Sequence, residues 1–158
     1  MQSGKIIACV GMRDGSMVVW FDGGKARIYS TEKDFGISDP VLRRTATVSE
    51  DGGNISWDDG TVVWGYDIVH KGKPFDFVTQ EKRRLLDELT ICRREANFSQ
   101  THLGMAAGIR QSVISRIESS TISPQINTLL KLLAPLGKTL AIVDIDGPEE
   151  EKVAPQEA

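Results

Sequence analysis

Residues 99–118 read SQTHLGMAAGIRQSVISRIE, and this stretch decides the fold. Its pattern predicts two short helices joined by a tight turn. Ser99 is a good N-cap, because its hydroxyl can accept a free backbone N–H of the first helical turn. Gln100 to Ala107 continue as helix. Gly108 follows, where a chain leaving a helix often needs a positive φ, and glycine takes that at little cost. A second helix is expected from about Gln111 to Ser119. Its side chains sort cleanly at the helical period. With Gln111 as origin, Ser115, Ser119, Ser112 and Arg116 fall at about 40°, 80°, 100° and 140°, whereas Val113, Ile117 and Ile114 fall at about 200°, 240° and 300°. One face is apolar. The other carries Gln, Ser and Arg groups that suit base edges in a major groove, where Arg can address guanine and Gln adenine.

The neighbouring residues narrow the pattern. Gly104 lets the two helices approach closely, and Ile114 and Ile117 are expected to bury against Leu103 and Ala107. Outside the pair stand FSQ at Phe98 to Gln100, Ser123-Pro124, and LLKLLAPLG from Leu129 to Gly137. Over residues 81–143 the chain resembles the helix-turn-helix of the Cro/CI-type repressors, also called the Xre family. The resemblance implies a lambda-repressor-like all-α bundle of about four or five helices. It further implies a sequence-specific DNA-binding transcriptional regulator, a repressor acting as a homodimer on a roughly palindromic duplex operator. By resemblance, Gln111, Ser112, Ser115 and Arg116 read bases, while Gln100 and Arg110 contact the backbone. The alternative in the same family is an antitoxin that blocks a toxin through its N-terminal domain and represses its own promoter. An ordinary αα-hairpin inside a bundle is the plain structural reading of the same residues. Two positions depart from the family pattern. The loop after Glu118 lacks the usual glycine near Ser120. Arg110 stands where Ser or Thr is preferred as N-cap, at a cost of about 1 kcal/mol, or as an extra cation near a phosphate.

A further helix is expected before the motif, from about Gln80 to Ala96, with Leu85, Leu89, Cys92 and Ala96 as its buried stripe and Asn97 as a left-handed cap. After the motif, Pro124 and Gln125 open a helix with Ile126, Leu129, Leu130 and Leu133 apolar. Pro135 ends or kinks it, because proline cannot donate to the carbonyl of Lys131. Gly137 closes it. KTLAIVDI, Lys138 to Ile145, reads as a strand, a feature common in antitoxins of the family that this stretch resembles. Residues 146–158 read as an acidic, disordered tail.

The first 70 residues carry strand and hairpin signals instead. Strands are expected at Lys5 to Met12, Ser16 to Phe21, Lys25 to Ser30, Thr45 to Glu50, Asn54 to Trp57 and Thr61 to Val69. Asp14-Gly15, Asp22-Gly23-Gly24 and Asp51-Gly52-Gly53-Asn54 mark the turns. Residues 31–44 read as irregular, with a short helix after Pro40. A strand into Phe21-Asp22-Gly23 and a later strand ending Ile55-Ser56-Trp57 before Gly60 resemble a small β-rich bacterial domain often found beside helix-turn-helix domains. That likeness implies a fold and no chemistry. The expected organisation is α+β: a small antiparallel β-rich domain over residues 1–72, a linker at 73–80, the helix-turn-helix domain at 81–145, and the tail.

The net charge of −3 looks wrong for a DNA binder until it is divided. Residues 75–143 hold nine basic and six acidic groups, whereas residues 144–158 hold one and six. The helical part is therefore mildly basic, and a modest charge favours a dimer that doubles the phosphate contacts. No window is long and apolar enough for a membrane helix, and no basic-then-apolar signal peptide opens the chain. Cys9 and Cys92 form no CxxC or Cys/His spacing and read as small buried residues of a reducing, cytoplasmic compartment. With His70 and His102 the only histidines, neither a zinc site nor a nucleophile–base pair is expected. The glycine pairs lie in hairpins, so no cofactor phosphate loop is expected either, and the protein reads as a non-enzyme.

Several residues carry two readings. His102 is a solvent-facing helix residue or a phosphate contact. Asp51, Asn54, Asp58 and Asp59 are turn formers that look faintly like a calcium loop but fail the EF-hand spacing. Trp20, Trp57 and Trp64 are core or interface residues, or a stacking platform for single strands. Arg83, Arg84, Arg93 and Arg94 are a solvated face or backbone clamps. The N-terminal sheet is open to a toxin or a small effector as its partner.

Overall fold

The structure, a computed structural model, describes residues 4–145. The acidic tail at 146–158 lies outside the described residues. The described residues form two compact units, one from residues 4–76 with 143–145, the other from Phe77–Ile142.

The first unit starts with an antiparallel meander of β1 (Ile6–Gly11), β2 (Ser16–Phe21) and β3 (Ala26–Ser30). Asp14 closes the first turn by accepting from the Ser16 N–H at 2.9 Å. Helix α1 (Thr31–Phe35) follows. The sequence pattern suggests an irregular stretch here, although both caps of the helix are present: Ser30 Oγ accepts from the Lys33 N–H, and Gly36 takes the left-handed conformation at φ 74°. Five residues are too few to show a period. Helix α2 (Pro40–Arg43) starts after Asp39, which caps it, and matches the short helix expected there. The short strands β4 (Thr47–Val48), β5 (Asn54–Ser56) and β6 (Val62–Trp64) make a second antiparallel sheet in that order.

The expected strand Thr61 to Val69 stops at Trp64, and helix α3 (Gly65–His70) takes over. Gly65, Ile68 and Val69 face inward while Tyr66 and Asp67 are exposed. That spacing is helical, and the β-branched residues concealed it. The Gly65 N–H donates to the Gly53 carbonyl at 2.8 Å, and a Cβ on Gly65 would sit 3.2 Å from that oxygen. Part of the expected linker also belongs to the sheet. Strand β7 (Lys73–Pro74) pairs with β3, giving the order β1-β2-β3-β7. Proline is tolerated there because β7 is an edge strand.

Both sheets share one core, in which Ile6, Met17, Val19, Phe21, Tyr29, Ile37, Ile55, Trp57 and Ile68 are buried. The tryptophans are distributed rather than assembled. Trp57 lies in the core with its ring 5.8 Å from that of Phe35. Trp20 is half-buried in β2, and Trp64 is 50% exposed on the edge strand β6.

The second unit is helical: α4 (Phe77–Glu95), α5 (Gln100–Ala107), α6 (Gln111–Glu118) and α7 (Ile126–Leu133), closed by a 3-10 turn over Ala134–Leu136. Its core is Leu86, Leu89, Leu103, Ile114, Ile117, Leu129, Leu132 and Leu133. Burying one such side chain contributes roughly 1.5–3 kcal/mol. The α4 stripe differs from the expected one. Leu86, Leu89 and Arg93 are buried, Cys92 is half-buried and Ala96 is exposed. Asn97 is left-handed at φ 59°, as expected of the cap.

The expected strand Lys138 to Ile145 does not form. Gly137 ends the 3-10 turn at φ 69°, and the residues after it run on without ladder bonds. Leu140 packs against the helical core while Ile142 is exposed. A strand needs a neighbouring edge to satisfy its amides, and among the described residues none pairs with this stretch. Among the described residues no helix is long and apolar enough to cross a membrane.

Candidate nucleic-acid interface

Helix α5 begins on Ser99, whose Oγ accepts from the His102 N–H at 3.0 Å. It ends at Gly108, at φ 68°, and the Ile109 N–H turns back to the Gly104 carbonyl at 2.9 Å. The return is tight. A Cβ on Gly104 would stand 2.5 Å from the Ile109 carbonyl oxygen and 3.4 Å from Ile114 Cδ1. Glycine at this position is therefore what lets α6 cross α5. Helix α6 starts after Arg110, which makes no capping bond with its side chain. Ile114 and Ile117 are fully buried beside Leu103.

The opposite side of α6 is open. Arg110, Gln111, Ser112 and Arg116 are exposed, and Ser115 is half-buried. Gln100 is half-buried at the start of α5. Its Oε1 accepts from Gln111 Nε2 at 2.8 Å, and its own Nε2 donates to Glu118 Oε2 at 2.8 Å. The sequence-selected residues Gln100 and Gln111 are thus joined to each other. Ser112, Ser115 and Arg116 share their helix with Gln111, while Arg110 stands at its entrance.

Beneath them lies an ion pair that sequence reading missed. Arg93 is neither on a solvated face nor free to clamp a backbone. It grips Glu118 with two donors, Nε to Oε1 at 2.6 Å and Nη2 to Oε2 at 3.0 Å. Arg93 Nη1 donates to the Phe98 carbonyl at 2.7 Å. Burial would raise the Glu118 carboxyl, but its bonds to Arg93 and Gln100, with the charges of Arg93 and Arg94, hold it below the ordinary carboxylate value. The bond to Glu118 raises the Arg93 guanidinium in turn. A bidentate, fully bonded pair is the strong form of the interaction. Arg93, Glu118, Gln100 and Gln111 form one chain from the inside of the unit to the exposed end of α6. The signal was present in the sequence, since Arg93 follows Leu86 and Leu89 at helical spacing.

The other arginines of α4 divide. Arg84 is engaged by Glu81 and Glu88 on its own helix, whereas Arg83 and Arg94 are exposed. His102 is exposed and stacks on Phe98 with ring centroids 4.2 Å apart. Ser120, where the family pattern has glycine, holds φ 58° without one. The carboxylates Asp51 and Asp59 of the first unit are taken up by turns: Asp51 accepts from Ser49 and Gly53, and Asp59 from Thr61. Burial pushes the Cys9 thiol up to about 11, so it stays protonated.

Residues 89–143 match the family model described as helix-turn-helix. A curated protein of Haemophilus influenzae, named an uncharacterized HTH-type transcriptional regulator, is 49% identical over 61 residues, which are 39% of this chain. The match spans 62% of that protein's length. A chain from a solved toxin-antitoxin module of Streptococcus pneumoniae is 42% identical over 42% of this chain and 74% of that one, with a TM-score of 0.37. Residues 89–143 of this chain are thus similar to helix-turn-helix domains.

Proposed function

We propose that the protein is a sequence-specific DNA-binding transcriptional regulator, a repressor, that inserts α6 into the major groove. The observation that carries this reading is the open polar face of α6, held from below by the Arg93–Glu118–Gln100–Gln111 chain. Gln111 spends one amide hydrogen on Gln100. Its carbonyl oxygen and second hydrogen stay available for the two-point contact that an adenine edge accepts. Arg116, Ser112 and Ser115 read the neighbouring base edges. Arg110, at the entrance of the helix, meets a phosphate, and Gln100 combines a phosphate contact with the positioning of Gln111. The protein works as a non-enzymatic binder in the cytoplasm.

The regulator acts as a two-fold dimer, because the helical part of one copy covers only a few base pairs and its nine basic against six acidic groups leave only a small positive charge. Residues 138–143 supply the surface for pairing. They bear an exposed Ile142 and carry unladdered amides that a second copy can complete. Selection of bound duplexes from a random pool, at stated salt, tests the reading. It should return a two-fold symmetric consensus with half-sites about one helical turn apart. Recovery of no consensus would reject the assignment. Co-purification of a small basic protein whose toxicity this chain blocks would instead favour the antitoxin alternative.

A further inference from the structure

The first unit contains a cleft that its fold leaves unused. Its volume is about 610 Å3, and it is lined by Gly4, Lys5, Phe21, Asp22, Lys25, Arg27 and Val69. That volume is in the range of small-molecule sites, roughly 300–1,000 Å3. The chemistry is unlike that of an ordinary apolar pocket: three cations face one carboxylate, over a floor supplied by Phe21 and Val69.

The backbones that carry the two lysines are tied to the Phe21-Asp22 strand end, while their side chains are exposed. The Asp22 N–H donates to the Lys5 carbonyl at 2.9 Å, and the Phe21 N–H donates to the Lys25 carbonyl at 2.8 Å. These bonds place the Lys5 and Lys25 backbones on either side of Phe21-Asp22. The alkyl stem of Lys5 lies against Gly52, where a Cβ would overlap it. Arg27 is half-buried, and its Nη1 donates to the Gly72 carbonyl at 3.2 Å, which leaves the other guanidinium donors free of that bond. Gly4 closes the rim, where a Cβ would stand 2.7 Å from Asp22 Oδ1. Among the described residues no carboxylate lies within ion-pair distance of Lys5, Lys25 or Arg27, although Asp51, beside Gly52, feels the charge of Lys5 from outside the cleft lining.

We infer that this cleft binds a small phosphorylated molecule, its phosphate monoester held by Lys5, Lys25 and Arg27 and its apolar portion laid on Phe21 and Val69. Three cations against one carboxylate leave a surplus that a phosphate monoester matches, since it carries about −1.5 to −2 at pH 7. The fork of Arg27 suits phosphate oxygens, and the lysines add point charge. This inference does not depend on the DNA-binding reading.

The test uses phenyl phosphate as probe on the full-length protein, by titration calorimetry and amide NMR. Saturable binding is expected, with shifts confined to residues 4–6, 21–27 and 69. Phenyl sulfate, with a single charge, should bind more weakly. The double variant K5Q/K25Q should keep its circular dichroism and bind phenyl phosphate about tenfold more weakly. R27K, which keeps the charge but not the fork, should lose affinity severalfold. Absence of binding at about 10 mM probe would overturn the inference, as would unchanged affinity in K5Q/K25Q. Loss of duplex DNA affinity in K5Q/K25Q without phenyl phosphate binding would also overturn it, and would assign the cations to a nucleic-acid backbone.

Discussion

The two units use their polar residues in opposite ways. In the sheet unit, the carboxylates of the turns are spent on the fold. Ser49 and Gly53 hold the Asp51 carboxyl below its ordinary value, and the Thr61 amide and hydroxyl do the same for Asp59. In the helical unit, the buried carboxylate Glu118 is bonded to Arg93 on one side and to Gln100 on the other, so its bonding extends outward to Gln111 on the surface. An acidic cluster in a sequence therefore says little until its lone pairs are accounted for. A polar chain that reaches from the interior to an exposed helix face says more, because it fixes side chains that would otherwise be mobile.

The largest expected effect comes from breaking that chain. Arg93→Ala leaves Glu118 buried without its partner and should cost about 3–5 kcal/mol in urea unfolding of the helical unit. The sheet unit should keep its own transition. A single shared transition shifted by the full amount would mean that the two units do not unfold separately. The same pair sets an acid dependence. The Glu118 carboxyl is depressed in the folded state from its ordinary 4.5. Its contribution is thus complete above that value and is lost as the pH falls through the lower, folded one. Glu118→Gln should flatten this part of the stability–pH profile, and an unchanged profile would remove Glu118 from the account.

Gly104→Ala should follow in size. Its Cβ would meet the Ile109 carbonyl, a backbone atom that cannot swing away, so a loss of about 1–3 kcal/mol is expected. An alanine variant as stable as the parent would show that the α5–α6 crossing is looser than described. The smallest effect is a gain. Ser120 holds a left-handed φ of 58° with a side chain. Ser120→Gly should relieve that strain and stabilise the helical unit by about 0.5–1 kcal/mol after the added freedom of the unfolded chain is counted. Urea unfolding that shows no gain would mean that Ser120 holds this conformation without strain.

The same contrast explains what could be read from the sequence. The α5–α6 pair was legible because Ser99, Gly104, Gly108, Ile114 and Ile117 each answer to a separate local requirement. The exposed face of α6 was legible from helical spacing alone. Arg93 was not, because a charge in an apolar stripe makes sense only once its partner, 25 residues away, is in place. In the sheet unit the hairpins were legible from their Asp-Gly turns. Helix α3 was hidden by a β-branched run that looks extended until Gly65 is drawn onto Gly53. Strand β7 was hidden by its proline, which reads as a break wherever no edge is known to receive it. Lys138 to Ile145 failed in the other direction: its apolar run, Leu140 to Val143, reads as a strand, but such a run cannot supply its own partner.

On the proposed function, α6 reads DNA through residues fixed by the polar chain below it. The most direct test is the affinity of Arg116→Ala and Gln111→Ala for the duplex selected by the parent protein, at fixed salt. Each variant should bind about 1–3 kcal/mol more weakly and lose preference at its own operator position, with the rest of the consensus intact. Parent-like affinity and preference in both variants would contradict the account.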